Sequence, residues 1–116
     1  MIKVQITHMF TVLYPDGSRL TTDDLHNQGE QLMEALLDLE RSNNGDVSSS
    51  ATATDGTVGT VAAEVMVTAQ DEAEAFEKSL GVVRTAIHAI GGAMPGWEQE
   101  HPDANYQPRN SKLEYV

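Results

Sequence analysis

No cysteine occurs among the 116 residues of this chain. That absence excludes disulfides, thiolate nucleophiles and cysteine-ligated zinc or iron–sulfur sites together. It is compatible with a reducing compartment, and a cytoplasmic location is expected. Basic residues are also scarce: 7 stand against 18 acidic ones, for a formal net charge of −11. Such a balance repels phosphate backbones and anionic membrane surfaces, so neither nucleic acid nor membrane is an expected partner. The acidity reads first as a solubility charge. The sharper readings are attraction to a basic partner surface and mimicry of nucleic acid. A mimic would need its carboxylates on one face, and here they are spread along the chain, which leaves mimicry a minor option. No apolar run approaches the ~20 residues that span a bilayer. The opening MIKVQITHMF lacks the basic, apolar and small-residue regions of a secretory signal.

What is present is periodicity. At even positions from 2 to 14, Ile2, Val4, Ile6, Phe10, Val12 and Tyr14 are apolar, with His8 among them, so a first strand is expected there. Pro15-Asp16-Gly17-Ser18 is a turn sequence. A helix is predicted from about Asp23 to Arg41, capped by Thr21 or Thr22, with Leu25, Leu32, Leu36 and Leu39 as its seam. Gly29 falls in that seam and reads as a weak spot rather than a close approach. Ser42-Asn43-Asn44-Gly45 should stop the helix.

A second strand, from Asp46 to Thr54, is small and polar, and Val47, Ser49, Ala51 and Ala53 are expected to face inward from a sheet edge. The third runs from Thr60 to about Val67, with Val61, Ala63, Val65 and Val67 inward. A tight Asp55-Gly56 hairpin would put the two strands out of register, so a bulge or a longer turn is expected near Gly59. Thr68 and Asp71 then resemble a capping box for a second helix. Its main seam is Phe76, Leu80, Val83, Ile87 and Ile90, and Gly91-Gly92 ends it.

The element order predicts a ferredoxin-like βαββα(β) sandwich, α+β, with an antiparallel sheet and two helices on one face. The expected sheet order is 4-1-3-2 with a short or missing fourth strand. Residues 1–97 are expected to form the single domain, and 98–116, polar and broken by Pro102 and Pro108, a C-terminal tail that adds little to stability.

Chemistry is sparse. His8 reads as a core or rim histidine, and His26 and His88 have no acid–base partner at a recognisable spacing. His101 and Asp103 could supply two metal ligands, but no third lies at a suitable spacing. No phosphate-loop, calcium-loop or dinucleotide motif occurs. No catalytic residue, cofactor or metal is therefore expected, and the chain is read as not an enzyme. One feature stands out on the second helix. Beside the main seam, Ala75, Ser79, Val82, Ala86 and Ala89 form a small-residue row, with His88 at its flank. Those six residues are the candidate interface, facing either the first helix or a second subunit.

The run VVRTAIHAIGGAMPGW (Val82 to Trp97), with LMEALLDLE (Leu32 to Glu40) before it, resembles small uncharacterised proteins of actinobacteria and their phages. The resemblance implies an accessory protein, bacterial or phage-encoded, and carries over no activity and no site residue. The expected function is a non-enzymatic protein-interaction module, acting as a homodimer on a host or self protein. The alternative is a small-molecule-binding regulatory domain of the amino-acid-sensor type.

Overall fold

The structure, a computed structural model, describes residues 1–42 and 46–116. Among them are β1 (Ile2–Leu13), α1 (Thr22–Ser42), β2 (Val47–Asp55), β3 (Thr60–Ala69), α2 (Glu72–Ala89), β4 (Gly92–Ala93) and β5 (Ala104–Tyr115). The fold is α+β, with a five-stranded mixed sheet in the order β2-β3-β1-β5-β4. Alternation sets which side of the sheet is covered. Val4, Ile6, His8, Phe10 and Val12 of β1 lie opposite Val67, Val65, Ala63, Val61 and Gly59 or its neighbours, and all five are buried beneath the helices. Lys3, Gln5, Thr7, Met9 and Thr11 alternate with them and face away. Twelve residues at ~3.3 Å each make a strand of ~40 Å, and the molecule is 43 Å along its longest axis.

The first helix follows its apolar seam. Thr21 Oγ1 accepts from the Asp24 N–H at 3.2 Å, and Leu25, Leu32 and Leu36 are buried. Gly29 is a close approach, not a weak spot: a Cβ there would lie 2.6 Å from Thr54 Cγ2, and the Thr52 hydroxyl donates to the Gly29 carbonyl at 3.0 Å. The expected stop beyond Ser42 falls on residues 43–45, outside the described residues.

Between β2 and β3 the turn is the longer one, since Asp55 pairs with Thr60 across four intervening residues. The inward set on β2 differs from the expectation. A bulge at Ser49 and Ser50 shifts the register between Ser48 and Ala51, and Ser49 takes φ 51°. The extra residue reverses the alternation, so Ser50, Thr52 and Thr54 face the helices while Ser49 and Ala53 are exposed.

The cap of α2 is Asp71, not Thr68. Asp71 Oδ1 accepts from the Glu74 N–H at 2.8 Å, while β3 continues to Ala69. Gly91, at φ 85°, supplies the left-handed residue that ends the helix. The residues expected as a polar tail contain β5, which pairs along the outer side of β1 and takes the place foreseen for a short fourth strand. Ala104 and Tyr106 are fully buried, with the Tyr106 hydroxyl donating to Gln28 Oε1 at 2.6 Å. After Asn105, β4 no longer flanks β5. One side of the strand is then free, so its residues are polar and Pro108 costs no ladder bond on that side. No helix among the described residues is long and apolar enough to cross a membrane.

Candidate functional site

The candidate interface on α2 resolves into two sets. Ala75, Ser79 and Ala86 are buried in the core of the chain itself, Val82 is half-buried, and His88 and Ala89 are exposed. These small side chains let α2 settle close to the sheet over His8. The bulkier Phe76 and Leu80 are displaced sideways, so Phe76 is 40% exposed rather than in the core seam. They wall a cleft of about 250 Å³ between α2 and β5.

Four segments build it. From β1 come His8, Met9 and Phe10, and from α2 the stripe Phe76, Leu80 and Arg84. Met94 and Pro95 come from a turn, and Pro108, Arg109, Asn110 and Ser111 from β5. The turn is Met94-Pro95-Gly96-Trp97, closed by the Trp97 N–H donating to the Met94 carbonyl at 2.8 Å. Proline presets its first central residue, and Gly96 takes the positive φ of 82° that the second requires. On β5 the pairing with β1 shifts between Met9 and Phe10, which leaves Arg109 as the extra residue of a bulge. A bulge re-aims side chains, and this one brings Arg109 to the cleft.

His8 forms the floor. Its ring packs edge-on to Phe76 with centroids 5.3 Å apart. Ser79 Oγ donates to the Phe76 carbonyl at 2.9 Å, so its single proton is already used. At 2.8 Å from His8 Nε2 it therefore accepts, which places the ring proton on Nε2. Nδ1 is then the acceptor for the Ser111 hydroxyl at 2.7 Å. Burial lowers the His8 pKa to about 4, so the ring is neutral at pH 7.

A serine donating to an oriented histidine has the outline of a nucleophile and its base. The electrostatics oppose it. Protonating His8 at pH 7 would cost about 4 kcal/mol at that pKa. The group on the far nitrogen is a neutral hydroxyl rather than a carboxylate that would stabilise an imidazolium. Arg84 and Arg109 add charge of the same sign. Among the described residues, the contacts of His8 are those of a ring held in place.

Arg84 is fixed by a stacking contact, its guanidinium carbon 5.0 Å from the Trp97 ring centroid. Trp97 also meets His88 edge-on at 6.1 Å, which gives that exposed histidine a structural partner. Arg84 Nε is buried and has no hydrogen-bond partner among the described residues. Neither Arg84 nor Arg109 forms an ion pair there, whereas Arg41, Lys78 and Lys112 each do. No lining residue of the cleft is acidic. Four other grooves on the described surface each contain at least one carboxylate, for instance Glu30 and Glu34 beside His26 in the groove between α1 and β2.

The remaining histidines stay apart. His26 Nδ1 is 2.6 Å from the Thr54 hydroxyl, and His101 is exposed beside Glu100. Among the described residues, no three His, Asp or Glu side chains converge as metal ligands would. Arg84, Arg109 and Ser111 are site residues that sequence reasoning passed over. The first left a signal, because 76, 80 and 84 are one stripe of a helix and an arginine ends it. The other two depend on the β5 bulge and left none. No family model, no curated protein and no solved structure matches this chain, so what the cleft does is carried by its own residues.

Proposed function

We propose that this protein is a non-enzymatic binding domain of ferredoxin-like topology that recognises a small molecule in the cleft between α2 and β5. With β5 read as the last strand and β4 as an appendage, the chain order is βαββαβ and the sheet order β2-β3-β1-β5, the ferredoxin-like arrangement. One observation carries the functional reading. In a chain of net charge −11, two arginines without carboxylate partners line one apolar, acid-free concavity. A concave, mostly apolar site with a few convergent polar groups is the usual form of a ligand pocket.

The sensor-type reading is thereby favoured over a protein-interaction module. The edge of β2, which could have accepted a partner strand, is interrupted by its bulge at Ser49 and Ser50, a feature that discourages strand addition. The small-residue row on α2 is largely spent inside the chain.

Amide-shift mapping with a mixed set of small aromatic and aliphatic fragments tests the site. Saturable shifts are expected at residues around His8, Leu80, Met94 and Asn110. Shifts confined to another surface would refute the cleft as the site. A fluorophosphonate probe tests the absence of catalysis: labelling of Ser111, lost in Ser111→Ala, would show an activated nucleophile and overturn the non-enzymatic reading.

A further inference from the structure

The cleft leaves cationic hydrogen-bonding capacity unused. Arg84 has its guanidinium held against Trp97 and, among the described residues, forms no ion pair. Arg109 reaches the same cleft from the opposite wall through the bulge in β5. A guanidinium presents a planar fork that matches the two oxygens of a carboxylate. We propose that the cleft binds a small hydrophobic monocarboxylate, with its carboxylate between Arg84 and Arg109 and its apolar body against Phe76, Leu80 and Met94. This assignment rests on the reading of the cleft as the recognition site.

Charge, size and lining select that class. The absence of acidic residues from the lining favours an anion over a cation or zwitterion. A volume of about 250 Å³ lies just under the ~300–1,000 Å³ of sites for drug-sized ligands, so the apolar body is small. A phosphate monoester carries close to two charges and three strong acceptor oxygens. Its usual cradle is a row of backbone N–H groups at a helix start, whereas the first turn of α2 bears Glu72 and Glu74. Besides Met9, whose side chain faces the other side of the sheet, six of the twelve lining residues are apolar, which suits one delocalised charge on a hydrophobic body. The neutral floor fits the same ligand, since both His8 nitrogens are already bonded to serines.

The test uses the full chain and four probes: 3-phenylpropanoate, its amide, 3-phenylpropylamine and phenyl phosphate. Amide-shift titrations should show 3-phenylpropanoate saturating the signals of residues 8–10, 80–84, 96–97 and 109–111. The amide and the amine should bind at least about tenfold more weakly. Arg84→Gln and Arg109→Gln should each weaken the carboxylate about tenfold or more, the loss of one charge-assisted contact, with the amide affinity unchanged. Equal binding of the amide or amine in the cleft would overturn the carboxylate assignment and leave the cleft standing as a binding site. Preference for phenyl phosphate would do the same. Shifts outside the cleft, or none with any of the four probes, would overturn both.

Discussion

His8 ties one side chain to the pH dependence of the whole fold. Burial holds its folded-state pKa near 4, below the ordinary histidine value of 6.5 expected when unfolded. Between those values the unfolded chain binds a proton that the folded chain does not. The contribution of His8 is therefore complete above pH ~6.5 and is lost as the pH falls toward 4, by up to about 3 kcal/mol. Urea midpoints at pH 7 and pH 4.5 should show a steeper decline for the native chain than for His8→Gln. Parallel declines would place the acid sensitivity on other groups. A second single-residue test concerns Gly29. A methyl there meets Thr54 Cγ2 at 2.6 Å, and Thr54 is stiff about its first side-chain bond. Gly29→Ala should destabilise by about 1–3 kcal/mol through overpacking. In a Thr54→Ser background the clashing methyl is gone and the hydroxyl facing His26 remains. The same alanine should then be neutral, or stabilising by up to ~1 kcal/mol through helix propensity. Thermal melts of the four proteins complete the cycle, and an equal cost in both backgrounds would show that the contact with Thr54 is not the cause.

At the scale of the element, legibility tracked how regular each segment is. The alternation in β1 and β3 and the leucine seam of α1 are direct records of burial, and both could be read from residue type alone. β2 was misread in phase because its bulge adds one residue whose only trace is another serine among three. α2 was misread by roughly an eighth of a turn: Val83 and Ile87 of the expected seam are buried, with Ala75, Ser79 and Ala86 in place of Phe76, Leu80 and Ile90. Hydrophobicity ranks Phe76 above Ala75, but packing over His8 selects for small size. β5 was missed because only Ala104 and Tyr106 are fully buried, Leu113 packs half-buried against the core, and the residues between Tyr106 and Leu113 are exposed and, Pro108 apart, polar. The candidate cleft inherits these failures, being built where α2, β5 and the turn at Pro95 depart from simple periodicity. The expectation that truncation after Trp97 is harmless is accordingly reversed. Removing β5 would uncover Phe10 and the outer edge of β1 and would leave Gln28 without its tyrosine. The shortened chain should lose its cooperative unfolding transition in calorimetry. A sharp melt within a few degrees of the full chain would show that β5 is dispensable.

For the molecule as a whole, the net charge of −11 and the positive cleft respond to salt in opposite directions. Screening relieves repulsion among the carboxylates, so the melting temperature should rise between about 0.05 and 0.5 M sodium chloride, where the Debye length falls from ~14 to ~4 Å. Over the same range the affinity for 3-phenylpropanoate should fall, because the attraction of an anion to Arg84 and Arg109 is screened too. A melting temperature that falls with salt would mean that favourable ion pairs outweigh the repulsion. The position of β5 has a further consequence, in time rather than space. His8 and Ser111, which meet across β1 and β5, are 103 residues apart in the chain. At a synthesis rate of ~5–20 residues per second, β1 waits roughly 5–20 s after it is made before its outer partner exists. During that wait an alternating apolar strand has one side unpaired. A ribosome that stalls before residue 104 therefore holds a nascent chain with an open, adhesive edge.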